Sequence, residues 1–176
     1  MGYKRLFIWV EGEDDERIFK NLFLPNLQKK YDWIKIIRYG TLKNEKINNY
    51  LKSIKAMKAE YICVTDINDS PCITKKKQEK QNQLKNIDSN NIIVVIKEIE
   101  GWYLAGLNDT ACNKLKINKH NNTDEISKER FNNIIPDKFD SRIDFMVEIL
   151  KYFSIKTAKQ KNKSFDYFIK KYDYMI

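Results

Sequence analysis

Four short apolar runs, Leu6–Val10, Ile34–Tyr39, Tyr61–Val64 and Ile92–Ile96, recur along the first hundred residues, each continuous or nearly so. Unbroken apolarity over four to six residues suits a strand covered on both faces, the condition of a parallel sheet sandwiched by helices. The intervening segments Asp14–Leu24, Asn44–Lys58 and Thr74–Asn86 have helical composition, and in the first of them Ile18, Phe19, Leu22 and Phe23 fall on one stripe. The order β-α-β-α-β-α-β predicts right-handed crossovers, with ligand sites beyond the carboxyl ends of the strands. After Gly101 the pattern becomes helical: Trp102–Leu107, Asp109–Leu115, Asp124–Ile134, Asp140–Phe153 and Ser164–Tyr172, with Asn118–Thr123 the expected mobile loop. The expectation is one α/β domain over residues 1–176. A four-stranded, mostly parallel, Rossmann-like core (1–107) carries a helical extension (108–176) packed on it.

Composition narrows the function classes. No apolar run approaches the roughly 18 residues that span a bilayer, so the reading is a cytoplasmic chain with no membrane partner. Cys63, Cys72 and Cys112 lack C-x-x-C spacing, which argues against a disulfide framework or zinc knuckle. None of the five glycines forms a dinucleotide fingerprint or P-loop, so any P-loop ATPase would be a separate protein. The net charge of +9 points to nucleic acid only weakly. Lys, Asn and Ile dominate the chain as an AT-rich coding sequence would dictate, and only five of the 33 basic residues are Arg.

Acids stand where strands end. The first run leads into Glu11-Gly12-Glu13-Asp14-Asp15, the third into Asp66-Ile67-Asn68-Asp69, and the fourth into Lys97-Glu98-Ile99-Glu100-Gly101. Parallel strands expose their carboxyl ends along one edge, so these side chains are expected to converge. Hard oxygen ligands without His or Cys favour Mg²⁺ or Mn²⁺. Glu98 and Glu100, one residue apart, point the same way if the chain there is still extended. The plainer alternative is that such acids cap helices, which suits Asp14 and Asp15.

Phe7 to Asp15, a hydrophobic strand followed by E-G-x-x-D, resembles the opening of the Toprim (topoisomerase-primase) domain. Val64-Thr65-Asp66-Ile67-Asn68 sits where that domain carries D-x-D. Lys97 to Leu104 is similar to the E-hydrophobic-E-x-W segment of nuclease Toprim proteins, including the overcoming-lysogenization-defect nucleases of phage defence. Lys156-Thr157-Ala158 with Ser164-Phe165 is similar to their short tail. The resemblance spans about residues 5 to 105 and implies a Mg²⁺- or Mn²⁺-dependent nuclease on DNA or RNA, working with a separately encoded ATPase.

In that reading Glu11 is the general base or a metal ligand, and Gly12 lets a phosphate backbone approach. Asp15, Asp66, Asn68, Asp69, Glu98 and Glu100 are the remaining candidate ligands, while Lys156 and Lys97 are candidate cations for transition-state charge. Lys75, Lys76, Lys77, Lys159 and Lys163 are candidate phosphate contacts, although runs of lysine more often form a solvated face. Asn68 departs from the family's second acid. That favours a nucleic-acid-binding or regulatory subunit without turnover; a third alternative, a scaffold that contacts only a partner protein, predicts a large exposed apolar patch and no convergent acids.

Overall fold

The computed structural model describes residues 2–172. It is an α/β protein with a four-stranded parallel sheet flanked by helices and a helical C-terminal region. Contacts divide the described chain into two compact units that separate after Val94. Sequence placed the division near residue 107 instead.

The first unit holds the sheet. Its strands are β1 (Arg5–Val10), β2 (Trp33–Arg38), β3 (Glu60–Asp66) and β4 (Ile92–Val95, whose last residue opens the second unit), in the order β2-β1-β3-β4. β1 pairs in parallel with β2 from Arg5↔Trp33 to Val10↔Arg38, and with β3 from Leu6↔Glu60 to Trp9↔Cys63. The chain leaves β1 for β2 on one side and then crosses to β3 on the other, so the sheet's topological switch point lies between the carboxyl ends of β1 and β3.

Helix α1 (Glu13–Ile18) runs through a π-helical turn, Phe19–Phe23, into α2 (Leu24–Leu27). The turn stands just before Pro25, which has no backbone N–H to continue the ladder. α3 (Asn44–Ala56) buries Ile47, Leu51 and Ile54, one face at i, i+4 and i+7. These side chains share a core with Phe7, Trp9, Tyr61, Cys63, Ile92 and Val94, the alternate residues of three strands. Leu6, Ile8, Val10, Ile62 and Val64, on the opposite face, are equally buried, as continuous apolar runs require. α4 (Ile73–Gln83) completes the unit's helices.

The second unit begins with α5 (Glu100–Ala105), of which every residue is buried. It continues through α6 (Asp109–Leu115), α7 (Lys128–Asn133), α8 (Arg142–Lys151), α9 (Ile155–Lys161) and α10 (Lys163–Lys171). Trp102, fully buried, meets Phe165 edge-on at 5.1 Å and donates from Nε1 to Ser164 Oγ at 2.9 Å, so it belongs to the core. Ser164 donates to Asn162 Oδ1 (2.8 Å), and Asn162 Nδ2 donates to Thr123 Oγ1 (3.2 Å). Thr123 is buried, which ties down one end of the loop expected to be mobile. A Cβ on Gly101 would stand 2.7 Å from Thr123 O, a distance only glycine tolerates. No helix of the described residues is long and apolar enough to cross a membrane.

Candidate functional site

Glu11 is the residue after β1, and continuing the β1–β3 register by two places sets it opposite Thr65. Its Oε1 accepts from Thr65 Oγ1 (2.5 Å) and from the Asp66 backbone N–H (3.3 Å), and Tyr39 OH lies 3.2 Å away. Tyr39 OH is also 2.9 Å from Val64 O, so its one proton serves two acceptors. Burial, with the nearby Cys63, Glu11 and Asp15 adding to it, holds the Tyr39 phenol well above its ordinary pKa, so it remains a donor. Lys80 Nζ is 3.9 Å from the same oxygen and 4.7 Å from the centre of the Tyr39 ring. Gly40 closes the corner: its N–H donates to Glu11 O at 3.1 Å, and a Cβ there would come within 2.5 Å of that oxygen.

This carboxylate opens onto a cleft of about 330 Å³, lined also by Asn44, Asn68, Lys76, Glu79 and Lys80. The structure thus brings together Glu11 and Asp66, whose backbone amide touches Glu11, and sets Asn68 in the lining of the same cleft. Asn68 is left-handed (φ 49°), a conformation that Asn tolerates, and Asp69 follows it exposed in the same turn. Tyr39, Thr65 and Lys80 were not singled out from sequence. Thr65 is legible only once the register is known, whereas Lys76 and Lys80, four apart on a helix, share a face by spacing alone.

The other candidates have structural employment. Asp15 is buried, and its Oδ2 accepts from Gly12 N–H at 3.2 Å across the first turn of α1, as the capping alternative requires. Of its acidic neighbours, Asp14 pairs with Arg17, Glu13 with Arg38, and Glu16 with both Arg38 and Lys20. Strand β4 ends at Val95, Lys97 takes a left-handed φ of 61°, and Glu100 is the first residue of α5. The extended geometry expected to align Glu98 with Glu100 is therefore absent. Glu98 accepts from the Lys128 N–H at the start of α7, and Glu100, only 4% exposed, meets the Arg142 guanidinium.

The lysines fall in two groups. Lys75 is exposed, Lys77 half-buried and Lys76 buried within α4. Lys97, Lys156 and Lys163 are exposed in the second unit and Lys159 is half-buried there. The Lys163 N–H donates to Asp124 Oδ1 at 2.9 Å.

Among the described residues no group of three or more His, Cys, Asp or Glu side chains is arranged to hold a metal ion. The donors at the cleft still suit one Mg²⁺, which is commonly held by one or two carboxylates with the substrate's own phosphates completing the shell. Glu11 and Asn68 line the cleft and Asp66 adjoins Glu11 through its backbone amide, so these three residues are the source of hard oxygens for such an ion. No family model, curated protein or solved structure matches this chain.

Proposed function

We propose that this chain is a Toprim-like phosphodiester-processing protein, a Mg²⁺-dependent nuclease acting on DNA or RNA and working with a separately encoded ATPase in phage defence. The observation that supports this is the Glu11 carboxylate, held by three donors at the switch point of a parallel sheet, beside Asp66 and facing a cleft that contains two lysines. Glu11 and Asp66, with Asn68, are the residues that would hold the ion. Bound Mg²⁺ would polarise the scissile phosphate and ease the departure of the leaving oxygen.

The remaining work falls to the chain itself. Thr65, Tyr39 and the Asp66 amide hold the Glu11 carboxylate in one orientation at the edge of the cleft, without a reorganisation cost at the moment of reaction. Glu11 serves either as a ligand of the ion or, where Asp66 and Asn68 hold it, as the acceptor of the attacking water's proton. Lys80, steadied over the Tyr39 ring, supplies positive charge beside the reacting phosphate.

Metal-dependent cutting of DNA and RNA tests the proposal. Cutting should be lost in Glu11→Gln and Asp66→Asn while both variants keep the wild-type far-UV spectrum and melting temperature within a few degrees. Cutting that survives both changes would contradict it. A second reading, a nucleic-acid-binding or regulatory subunit without turnover, is favoured by two details. Lys80 already offsets the charge of Glu11, and Asn68 replaces an acid. It predicts salt-sensitive binding that needs no metal and yields no cut product.

A further inference from the structure

The three lysines of the run 75–77 are chemically identical in sequence but not in place. Lys76 is 8% exposed and lines the cleft, and no hydrogen bond or ion pair joins its ammonium to any described residue. Its stem is buried against the wall of the cleft while the ammonium keeps contact with solvent, a cation that an entering anion can reach. The same cleft is bordered by the first residues of α3, a 13-residue helix whose N-cap, Lys43, offers no side-chain acceptor. The first-turn amides of α3 therefore present positive potential there without a cap. A second cation, Lys80, lies one turn along α4 from Lys76. Of the two acids in the lining, Glu11 is offset by Lys80 at 3.9 Å, which leaves Lys76 as the cation for a ligand, and Glu79 accepts from the Ser70 hydroxyl. One anion would satisfy Lys76 and the α3 terminus together.

We infer that the cleft is a receptor for a terminal phosphate monoester, with Lys76 and the α3 first-turn amides as its contacts. The inference rests on the phosphodiester reading only in placing phosphate beside Glu11. At about 330 Å³ the cleft is at the small end of ligand sites, so it admits a phosphate group and its attached sugar and not the side of a duplex. A monoester carries nearly two negative charges near neutral pH, which the Lys76 cation and the α3 terminus attract more strongly than the single charge of an internal diester. The ligand is a strand end or a free nucleotide.

The test is binding at constant ionic strength, measured by calorimetry and thermal shift, with inorganic phosphate, a nucleoside 5′-monophosphate, and a short oligonucleotide bearing either 5′-phosphate or 5′-hydroxyl. Wild type should bind the first three saturably and the 5′-hydroxyl oligonucleotide at least tenfold more weakly. Tighter binding of the phosphorylated oligonucleotide than of the nucleotide would identify the strand end as the ligand, and the reverse order the free nucleotide. Lys76→Met should lose tenfold or more in affinity while melting no lower than wild type without ligand, and Lys75→Met should bind as wild type. Asn44→Pro, which removes one amide at a helix position that accepts proline, should weaken binding several-fold. Glu11→Gln should bind phosphate at least as tightly as wild type whether or not the protein cuts, which separates this inference from the nuclease proposal. Equal losses in Lys75→Met and Lys76→Met, or equal affinity for the two oligonucleotides, would overturn it.

Discussion

Replacing Arg142 by Met would take away the guanidinium that meets Glu100, a carboxylate left with 4% of its side chain in contact with solvent. Arg142 is itself 22% exposed, so the pair is screened only in part. Removing one partner of such a pair costs about 3–5 kcal/mol, because the remaining charge stays buried. Against a total stability of about 5–15 kcal/mol this is a large fraction. With a urea slope of about 2 kcal/mol/M, the unfolding midpoint should fall by roughly 2 M. Some loss also comes from the cation–π contact, since the guanidinium lies 5.6 Å from the centre of the Phe131 ring. The double variant Glu100→Leu with Arg142→Met removes both charges and should recover at least half of the deficit, because an apolar pair of similar volume avoids the desolvation penalty. Urea unfolding followed by far-UV circular dichroism reads all three proteins. The reasoning fails if Arg142→Met costs less than about 1 kcal/mol, or if Glu100→Gln leaves stability intact and weakens Mn²⁺ binding. The second result would make Glu100 a metal ligand and not a structural one.

Ser164→Ala would remove the acceptor of the buried Trp102 Nε1–H and of the half-buried Ile96 N–H, and should cost about 1–3 kcal/mol in the same unfolding experiment. Burial pushes the Cys63 thiol from 9.0 up to about 12, so the folded state keeps a proton that the unfolded chain releases above pH 9. This contribution is therefore intact below pH 9 and lost as pH rises toward 12, at about 1.4 kcal/mol per pH unit and roughly 4 kcal/mol in all. Tyr39, also raised, adds a second loss above pH 10. Cys63→Ala should flatten the decline between pH 9 and 10, as measured by urea unfolding at each pH, and an unchanged slope would contradict the assignment.

The sheet was legible because β1, β3 and β4 are covered on both faces and so are apolar along nearly their whole length, while the edge strand β2, of which no residue is buried, was found from its isoleucines; the alternation with helices then dictated parallel pairing. The meeting of Glu11 with Asp66 followed from topology: both stand at carboxyl ends on either side of the switch point. What decided the other acids was not written in the spacing. Glu98 and Glu100 look like a strand exit, yet β4 stops at Val95 and the backbone reverses through the left-handed Lys97, which turns an apparent pair of ligands into a helix-start acceptor and a buried ion pair. Lys76 differs from Lys75 only in helical phase, which a run of identical residues conceals. α9 was missed because Ile155–Lys161 carries too few apolar residues to show a periodic face, Ala158 being its one buried residue.

The central claim is that Glu11 and Asp66 form a hard-oxygen site for a divalent ion at the carboxyl edge of the sheet. Crystals soaked in Mn²⁺ and measured for anomalous scattering test it most directly. One peak is expected within coordination distance of the Glu11 and Asp66 carboxylates, absent from Asp66→Asn crystals soaked in the same way. A peak elsewhere, or none beside Glu11 at saturating Mn²⁺, would contradict it.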